Sequence, residues 1–481
     1  MKTQVLTFLL SALLLVQAYA QNGMGLTRNP EKLRKVAAFP DPNQGAKSMV
    51  DTPLAYDLAA FAPPVPNQGS VPSCVAWSTA YNAFTVQYAA QNNLTDPQQL
   101  QAVALSAMLP FKQLRPSCDR GLDLPDIAQQ MMAAGNLPHA EFSGEGCLMP
   151  PSADLLSRAA QNRPIMDYVR VFDEFSTNAE KLFRTRQQIG LYKTPVIVGI
   201  EVRENLSNLR STDEFYVPSG KIVGLHAVTV VGYDTRGFKI LNSWGSNWGK
   251  NGYFWVRNSD FEQIAFGGVA LVLSNNYRPG PSPSPSNTRV GGEFAFQYLD
   301  GGRGEFVKLT PSHLSSGVYE LSRKDWKLGE RFQLLTNNPT AKQYMCVFSI
   351  DARNKLNVHW PRNEALAQFN SRLFGLGEAD ILPTTNFDVV IPSKTSAMTI
   401  EETGTDYLCV LYSDKPLLAE LPAILGRIQS ANGDIYRRIK AGLGRRLVPT
   451  SNIRYDANGM KGVANSTQGD TVPLVLKIQS N

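Results

Sequence analysis

Apolar residues follow a helical period in the first half of the chain. After the turn-forming residues Gly69 to Ser73, apolar side chains recur at three- and four-residue steps from Trp77 to Tyr88. This spacing predicts a helix over 74–92 with one buried face and with Ser73 as its N-cap. Similar spacing predicts further helices over 97–110, 124–134, 153–160 and 178–189.

The pattern changes to short β-branched runs after Thr194. These runs predict strands over 195–202, 226–233, 238–242 and 252–256. The four-residue turn 234–237 separates the middle two runs, so 226–242 is predicted to be a hairpin. Helices followed by strands within one domain indicate an α+β fold with a cleft between the two halves, which is a common place for a site.

The C-terminal part alternates short apolar runs with turn residues. About seven strands are predicted, which indicates a β-sandwich. A helical stretch over 417–443, with breaks at Pro422 and Gly433, precedes a last apolar run at 474–478 that closes the sheet. The strand runs are 306–309, 331–335, 344–350, 358–360, 386–391, 397–400 and 406–412.

The first 20 residues have the pattern of a secretory signal. Lys2 precedes a leucine-rich run, and Ala18 and Ala20 fit a signal-peptidase site. A transmembrane anchor fits less well because the run is too short to span a bilayer comfortably. We therefore expect cleavage near Ala20 and a secreted or periplasmic protein.

The predicted elements divide the rest of the chain into four parts. Residues 21–59 form an extended, proline-interrupted lead-in, and residues 60–276 form the first domain. The Pro- and Ser-rich stretch 277–287 predicts an extended linker that tethers separately folded domains at some distance. Residues 288–481 form the β-rich domain with its helical segment.

Composition narrows the class of protein. Of the 481 residues, 43% are apolar and 18% are charged, as in globular soluble proteins with more than one domain. The formal net charge of +6 comes from scattered lysines and arginines, so no nucleic-acid partner is expected. No later stretch predicts a membrane span, and no residue cluster predicts a metal or a cofactor.

The five cysteines leave at least one thiol unpaired. Cys74 lies at a predicted helix start, where unpaired N–H groups and the helix dipole favour the thiolate. Taken alone, Cys74 is more often a small buried hydrophobe than a nucleophile. Cys346 and Cys409 lie in apolar strand-like runs, where a disulfide and two buried free thiols both stay open.

Motifs around and beyond Cys74 change that interpretation. Gln68 and Gly69 precede Cys74, His226 lies in an apolar strand, and Asn242 begins the run Asn-Ser-Trp-Gly. Together they resemble the papain-like cysteine peptidases, of a bacterial secreted type, whose His and Asn follow the nucleophile by about 130–150 residues. The separations here are somewhat longer, which we interpret as an insertion between the lobes.

The resemblance implies a two-lobed fold, with a helical lobe and a β-barrel-like lobe, and a role for each motif residue. Val71 and Val75 depart from the family signature, which has a cysteine and an aromatic residue there. The family also implies a Cys118–Cys147 disulfide and a substrate pocket near 261–269. The implied roles are nucleophile for Cys74, acid and base for His226, orienting group for Asn242, oxyanion donor for Gln68 and shield of the His–Asn bond for Trp244.

The expected function is that of a secreted cysteine peptidase acting on protein or peptide substrates through a thioester acyl-enzyme. Two alternatives stay open: a non-catalytic peptide-binding or scaffolding protein, and an acyl transferase or amidase with the same constellation. Residues 21–59 are too short and proline-rich for the family's helical inhibitory propeptide. Latency through such a propeptide is therefore not expected.

The C-terminal part carries a second resemblance. Residues 327–332, 344–351, 359–361 and 408–416 are similar to an uncharacterised β-rich accessory domain that recurs at the ends of bacterial secreted proteases and signalling proteins. No constellation of carboxylates, histidines or metal ligands appears there. This domain is interpreted as a module for packing or for binding a protein or cell-surface partner.

Overall fold

A computed structural model describes most of the chain outside its N-terminal region and several internal stretches. The predicted signal peptide, 1–20, and the predicted linker after Tyr277 lie outside the described residues. Among the residues that are described, no helix is long and apolar enough to cross a membrane. The described ranges are 23–40, 52–144, 147, 149–274, 277, 288–338, 343–370, 377–382, 389–393, 396–457, 459–466 and 468–481.

Helices dominate the first half, as predicted. The helix over 74–92 is one continuous run with a π-helical stretch at Trp77–Ala83. Ser73 occupies its N-cap position, but the Ser73 side chain accepts no cap hydrogen bond. The helices are α1 (Pro30–Arg34), α2 (Cys74–Ala76, Trp77–Ala83 and Phe84–Asn92 in succession), α3 (Pro97–Val103), α4 (Met108–Leu114), α5 (Asp126–Ala134), α6 (Ala153–Gln161), α7 (Asn178–Gly190) and α8 (Asn258–Ile264), with short 3₁₀ turns at Ala59–Phe61 and Leu206–Asn208.

The single helix predicted over 97–110 is wrong, because the chain breaks between α3 and α4. Residues at the break pair with a distant segment instead: the Ser106 N–H donates to the Leu137 carbonyl (2.8 Å) and the His139 N–H donates to the Ala104 carbonyl (2.7 Å). The Ser106 hydroxyl then accepts from the Leu109 N–H (2.9 Å) and starts α4. A tertiary contact overrides the local helical period here.

The same part of the chain contains one sheet of seven strands in the described residues. Its order is β2-β7-β3-β4-β5-β6, with β1 pairing beside β4. The predicted hairpin is present, since β4 and β5 pair antiparallel with Tyr233 opposite Phe238. The sequence pattern did not predict β2 and β7. The strands are β1 (Tyr56–Asp57), β2 (Ile165–Phe172), β3 (Val196–Arg203), β4 (Ile222–Tyr233), β5 (Gly237–Leu241), β6 (Tyr253–Arg257) and β7 (Ala265–Leu273).

Helix α2 is joined to the middle of this sheet by buried hydrogen bonds. The Ser78 hydroxyl donates to the Ala227 carbonyl (2.7 Å), and the Thr229 hydroxyl donates to the Ser78 carbonyl (3.0 Å). Both bonds lie in fully buried surroundings, where an unpaired hydroxyl would be costly. They hold the start of α2 in a fixed position against β4.

The C-terminal part forms a sandwich of two sheets, each with seven strands in the described residues. The Tyr412 hydroxyl on one sheet donates to the Glu293 carbonyl on the other (2.7 Å), and aromatic and aliphatic side chains fill the space between them. The strands are β8 (Thr288–Asp300), β9 (Glu305–Leu309), β10 (Ser312–Ser315), β11 (Val318–Glu320), β12 (Arg331–Asn337), β13 (Gln343–Ile350), β14 (Leu356–Trp360), β15 (Ile381–Leu382), β16 (Val389–Ile391), β17 (Met398–Thr399), β18 (Gly404–Ser413), β19 (Ile453–Tyr455), β20 (Met460–Ser466) and β21 (Thr471–Ser480).

Two helices precede the last strands of the sandwich. They are α9 (Leu421–Ser430) and α10 (Ile435–Leu443), with 3₁₀ turns at Glu364–Phe369, Gly444–Arg446 and Thr450–Asn452 elsewhere in this part. Gly433 lies between α9 and α10, as predicted. Pro422 does not break a helix: it lies in the first turn of α9, where the missing N–H costs nothing.

The free-thiol alternative holds for Cys346 and Cys409. Both thiols are buried and free. They lie on the paired strands β13 and β18, but Cys346 faces Leu411 and Cys409 faces Phe348. This offset of two residues separates the thiols, so the sheet register excludes the bridge that the odd cysteine count had left open.

The two parts of the chain are in contact, so the prediction of domains held apart by their linker is wrong. Residues 37–39 insert between the edge of the first sheet and the C-terminal part. The Phe39 N–H donates to the Arg170 carbonyl on β2 (2.8 Å), while the Ala379 N–H donates to the Ala38 carbonyl (2.7 Å). The composition of the linker determines only how stiff the linker is. The contact between the two parts is made instead by backbone hydrogen bonds of the N-terminal lead-in, which the linker composition does not predict.

A buried carboxylate lies beside this contact. Asp380 is 2% exposed, and its Oδ2 accepts from the Leu417 and Leu418 N–H groups (2.7 and 2.8 Å). Burial raises the pKa of Asp380 to about 6, against the lowering effect of those hydrogen bonds. Burial and the charge of Asp380 also raise the pKa of Asp167 on β2.

We expect Asp380→Asn to stabilise the protein at neutral pH but not at pH 4. The folded pKa lies above the ordinary value of 3.8, so the folded state binds more protons between these two pH values and loses stability as the pH rises through that window. Asparagine does not ionise and avoids this loss, so the free energy of unfolding at neutral pH should rise by about 1–3 kcal/mol. Urea unfolding of both proteins at pH 4 and pH 7.5 measures the difference.

The exposed Asp154→Asn is the matched control and is expected to show no comparable pH-dependent gain. A larger loss of stability for Asp380→Asn at pH 7.5 than at pH 4 would show that the folded protein favours the ionised carboxylate.

Candidate active site

Cys74 lies at the start of α2 and is fully buried. The turn before it includes Gly69, whose φ of +59° lies in the left-handed region that glycine adopts readily. The Cys74 sulfur accepts a hydrogen bond from the Gly25 N–H at 3.4 Å. Burial raises the pKa of the thiol, and nearby backbone N–H groups only partly oppose this. The thiol is therefore the favoured form in this closed arrangement.

His226 and Asn242 meet across the β4–β5 hairpin. His226 Nε2 lies 2.8 Å from Asn242 Oδ1, and the same oxygen accepts from the Ser243 N–H (2.8 Å). Because an amide oxygen only accepts, Nε2 must carry the hydrogen, which leaves Nδ1 with its lone pair. Among the described residues, Nδ1 has no hydrogen-bond partner. Burial lowers the pKa of His226 to about 4, so the ring is neutral.

Two tryptophans cover this pair. The Trp244 ring stacks on His226 with centroids 4.7 Å apart, and Trp248 meets Trp244 edge-on at 5.1 Å. Both tryptophans are more than nine-tenths buried. They keep water from the His226–Asn242 hydrogen bond, which strengthens it. This position of Trp244 fits the shielding role that the family resemblance implies.

Gln68 is held beside this group by Ser243, a residue that the sequence motifs contained but did not single out. The Ser243 hydroxyl donates to Gln68 Oε1 (2.6 Å), and the Gln68 N–H donates to the Ser243 carbonyl (2.9 Å). The amide nitrogen therefore points the other way and donates to the carbonyls of Gly23 (2.8 Å) and Val71 (2.9 Å). The Gln68 amide is predicted to donate to an oxyanion. In this structure it donates instead to the carbonyl of Gly23, which belongs to the N-terminal segment of the chain.

The segment 23–27, here called the cleft segment, runs past Cys74. The Gly23 N–H donates to the Gly69 carbonyl (2.8 Å), the Leu122 N–H donates to the Gly25 carbonyl (2.8 Å), and the Thr27 N–H donates to the Leu122 carbonyl (2.9 Å). The segment donates the Gly25 N–H to the sulfur and so covers the thiol with its own backbone.

Glycine is required where the cleft segment passes the nucleophile loop. A Cβ added to Gly25 would lie 1.9 Å from the Pro72 carbonyl oxygen, and one added to Gly23 would lie 2.3 Å from that of Val71. Real side chains do not approach backbone atoms so closely. The spacing Gly-Met-Gly was the only sequence signal for this close approach, and it is too weak to predict it.

The predicted pocket region, 261–269, divides into two parts. Phe261 is fully buried and packs on Phe172 and Phe238, so it belongs to the core. Phe266 faces the cleft segment, since it and Leu26 both lie against Gly199. Only the second part of the predicted region therefore borders the cleft.

The disulfide implied by the resemblance is confirmed. Cys118 and Cys147 are bridged, with their Cα atoms 6.3 Å apart. In the described part of the chain, no group of three or more His, Cys, Asp or Glu side chains is placed to hold a metal ion.

Comparison with known families bears on this site. A model of the papain family of cysteine proteases matches residues 53–268, which include Gln68, Cys74, His226 and Asn242. Residues 53–268 form a papain-family cysteine protease domain. The fold of this protease domain is the papain-like one, and the family supports a cysteine-type peptidase as its enzyme class.

Individual relatives of the protease domain are distant. Cysteine protease 1 of Oryza sativa subsp. japonica is 23% identical over 256 residues, which cover 51% of this chain and 48% of the relative. Probable cysteine protease RD21C of Arabidopsis thaliana is 30% identical over 125 residues, covering 24% and 26%. The chain thus spans about half or less of the length of these two relatives.

Among solved structures, xylellain, a cysteine protease from Xylella fastidiosa, is similar with a TM-score of 0.42 and 22% identity. The similarity covers 52% of this chain and 96% of that one.

Proposed function

We propose that this chain is a secreted or periplasmic cysteine peptidase that hydrolyses peptide bonds at Cys74. The observation that carries the proposal is the bond between His226 Nε2 and Asn242 Oδ1, which leaves Nδ1 as a base on β4, the strand that is hydrogen-bonded to α2. The protease unit is 60–276 and the β-rich unit is 288–481. The Cys118–Cys147 disulfide supports an oxidising compartment.

In the proposed reaction His226 first accepts a proton from Cys74 and then returns it to the leaving group. The Cys74 proton moves to His226 Nδ1, and the thiolate attacks the substrate carbonyl carbon. Gln68 Nε2 and the Cys74 N–H donate to the resulting oxyanion. The C–N bond breaks as His226 returns the proton to the leaving amine, and a thioester remains. His226 then takes a proton from water, the water oxygen attacks the thioester carbon, the C–S bond breaks, and His226 returns the proton to the sulfur.

The described arrangement corresponds to a closed form of this peptidase. The cleft segment covers the sulfur and holds the Gln68 amide through the Gly23 carbonyl. Burial favours the neutral thiol and the neutral imidazole over the thiolate–imidazolium ion pair, and the thiolate is the form that attacks. Displacement of the segment returns solvent to both groups and favours the ion pair.

Labelling with a thiol-directed epoxide tests the proposed nucleophile. In a chain whose cleft segment is displaced by Gly25→Leu, we expect one adduct per chain, at Cys74 and not at Cys346 or Cys409, which stay buried in the sandwich, together with parallel loss of peptide hydrolysis. Labelling of Cys74 without cleavage of any peptide would support the binding or scaffolding alternative. Faster reaction of small amides or acyl acceptors than of peptides would support the acyl-transfer alternative.

Gln68→Ala is expected to lower kcat about 100-fold with little change in KM, because the oxyanion contact forms only in the transition state. Gln68 also holds the cleft segment, so the measurement belongs in a chain whose segment is displaced by Gly25→Leu. Steady-state kinetics on a fluorogenic peptide give both constants. Gln98→Ala, on the exposed face of α3, is the control. A raised KM with unchanged kcat would instead make Gln68 a binding residue.

A further inference from the structure

The end of the cleft segment places a basic side chain in a defined position. Arg28 follows Thr27 and turns its guanidinium toward two carboxylates. Arg28 Nε donates to Glu174 Oε2 (3.0 Å), and Nη1 donates to Glu201 Oε1 (3.2 Å). The guanidinium carbon also lies 4.8 Å from the centre of the Phe266 ring. Arg28 thus has two ion pairs and a cation–π contact.

The three contacts come from separate elements of the protease sheet. Glu174 lies in the turn after β2, Glu201 in β3 and Phe266 in β7. These strands are joined through β7, because Val198 pairs with Gly268 and Phe172 pairs with the same residue. Glu201 and Phe266 lie on these joined strands and keep their spacing when a peptide enters or leaves, and Glu174 follows the end of β2 by two residues. The site therefore does not depend on Arg28 for its shape.

Charge around the site favours a cation. Within the described residues, Arg28 is the one ion-pair partner of Glu174, and Glu201 has only Arg203 besides, at 3.7 Å. The nearby Lys181 ammonium donates to the carbonyls of Glu262 and Ala265. When Arg28 leaves, Glu174 loses its partner while the Phe266 face stays in place.

We infer that Glu174, Glu201 and Phe266 form a subsite that recognises an arginine or lysine side chain of the substrate peptide. The inference rests on the proposed peptidase function. The cleft segment shows the position: Leu26 lies against Gly199 and pairs with Leu122, and the basic residue lies two positions from it. The substrate class is then a peptide with an aliphatic residue near the cleavage point and a basic residue farther out.

The expected preference for arginine over glutamine depends on how exposed the two glutamate side chains are. The side chains of Glu174 and Glu201 are each 20% exposed beside Arg28, so solvent weakens the ion pairs. The aromatic face and the two-carboxylate geometry add to them. A gain of about 10-fold in kcat/KM for arginine over glutamine is expected.

The test uses the full chain with its own basic residue removed. The Gly25→Leu/Arg28→Ala variant displaces the segment and empties the subsite. The substrates are fluorogenic peptides in which one position is always leucine. Each of the other positions is in turn arginine, lysine, glutamine or glutamate. We expect one position at which arginine and lysine are preferred, and we expect Glu174→Gln/Glu201→Gln to reduce the arginine-to-glutamine ratio to about 1.

Glu262→Gln removes a nearby negative charge that does not contact Arg28, so it is the matched control and should retain the ratio. Equal rates for arginine and glutamine at every position would overturn the inference and leave Arg28 as an anchor of the cleft segment. A preference that survives Glu174→Gln/Glu201→Gln would also overturn it.

A binding measurement separates this inference from the peptidase proposal. With Cys74→Ala added, fluorescence anisotropy should show about 10-fold tighter binding of the arginine peptide than of the glutamine peptide. If no variant cleaves any peptide but this difference appears, the function fails and the subsite stands. If peptides are cleaved without the difference, the subsite fails and the function stands.

Discussion

Replacing Cys74 with alanine is expected to lower kcat/KM for peptide hydrolysis by at least about 10⁴-fold. Alanine cannot attack a carbonyl carbon or form the thioester, and His226 then has no proton to accept from a nucleophile. The site is fully buried in the closed form, and the substitution removes one small atom from it. Kinetics on a fluorogenic peptide, in a chain with the cleft segment displaced, measure the loss.

The chain offers matched controls for this substitution. Cys409→Ala and Cys346→Ala also remove buried free thiols, both from strands of the sandwich. Each is expected to cost about 1 kcal/mol of stability or somewhat more, with activity retained. Thermal unfolding shows whether Cys74→Ala is folded. Retained hydrolysis in a folded Cys74→Ala protein would exclude Cys74 as nucleophile.

Gly25→Leu is expected to raise both peptide hydrolysis and alkylation of Cys74 by about 10–100-fold. The new side chain cannot fit, because its Cβ would lie 1.9 Å from the Pro72 carbonyl oxygen. Overpacking of this kind costs roughly 1–3 kcal/mol, and each 1.4 kcal/mol changes the open fraction about tenfold. The change acts on the closed form alone, since the cleft itself is unaltered.

The measurement is the rate of iodoacetamide reaction, mapped to Cys74 by mass spectrometry, beside the initial rate of hydrolysis. Gly301→Leu is the matched control, because no atom lies within 4 Å of a Cβ added there. The control should react at the wild-type rate. Equal rates for Gly25→Leu and wild type would mean that the cleft segment does not limit access to the sulfur.

The same lead-in that closes the cleft also contacts the C-terminal part. The cleft segment is followed by α1, whose Leu33 lies against Gly267, and then by Ala38 between β2 and residues 377–379. Closing the cleft and holding the two parts together are thus done by one stretch of backbone.

Local patterns predicted much of the fold. The three- and four-residue period placed the start of α2 at Cys74, and the turn at 234–237 placed the hairpin that carries His226 and Asn242. Both signals are local, because a buried helix face and a tight turn are each determined by residues that are close together in the sequence. The prediction failed at 104–107, where pairing with residues 137–139 interrupts an otherwise regular helical period.

The sequence by itself predicted which side chains carry the proposed chemistry, since Gln68, Cys74, His226 and Asn242 stand in recognisable local contexts. Only the tertiary structure decided that Asn242 bonds to Nε2 of His226, which leaves Nδ1 without a partner among the described residues, and that the cleft segment covers the sulfur. Those outcomes depend on hydrogen bonds and steric fit between residues far apart in the chain, such as Gly25 with Leu122. Residue periodicity carries no information about such distant partners.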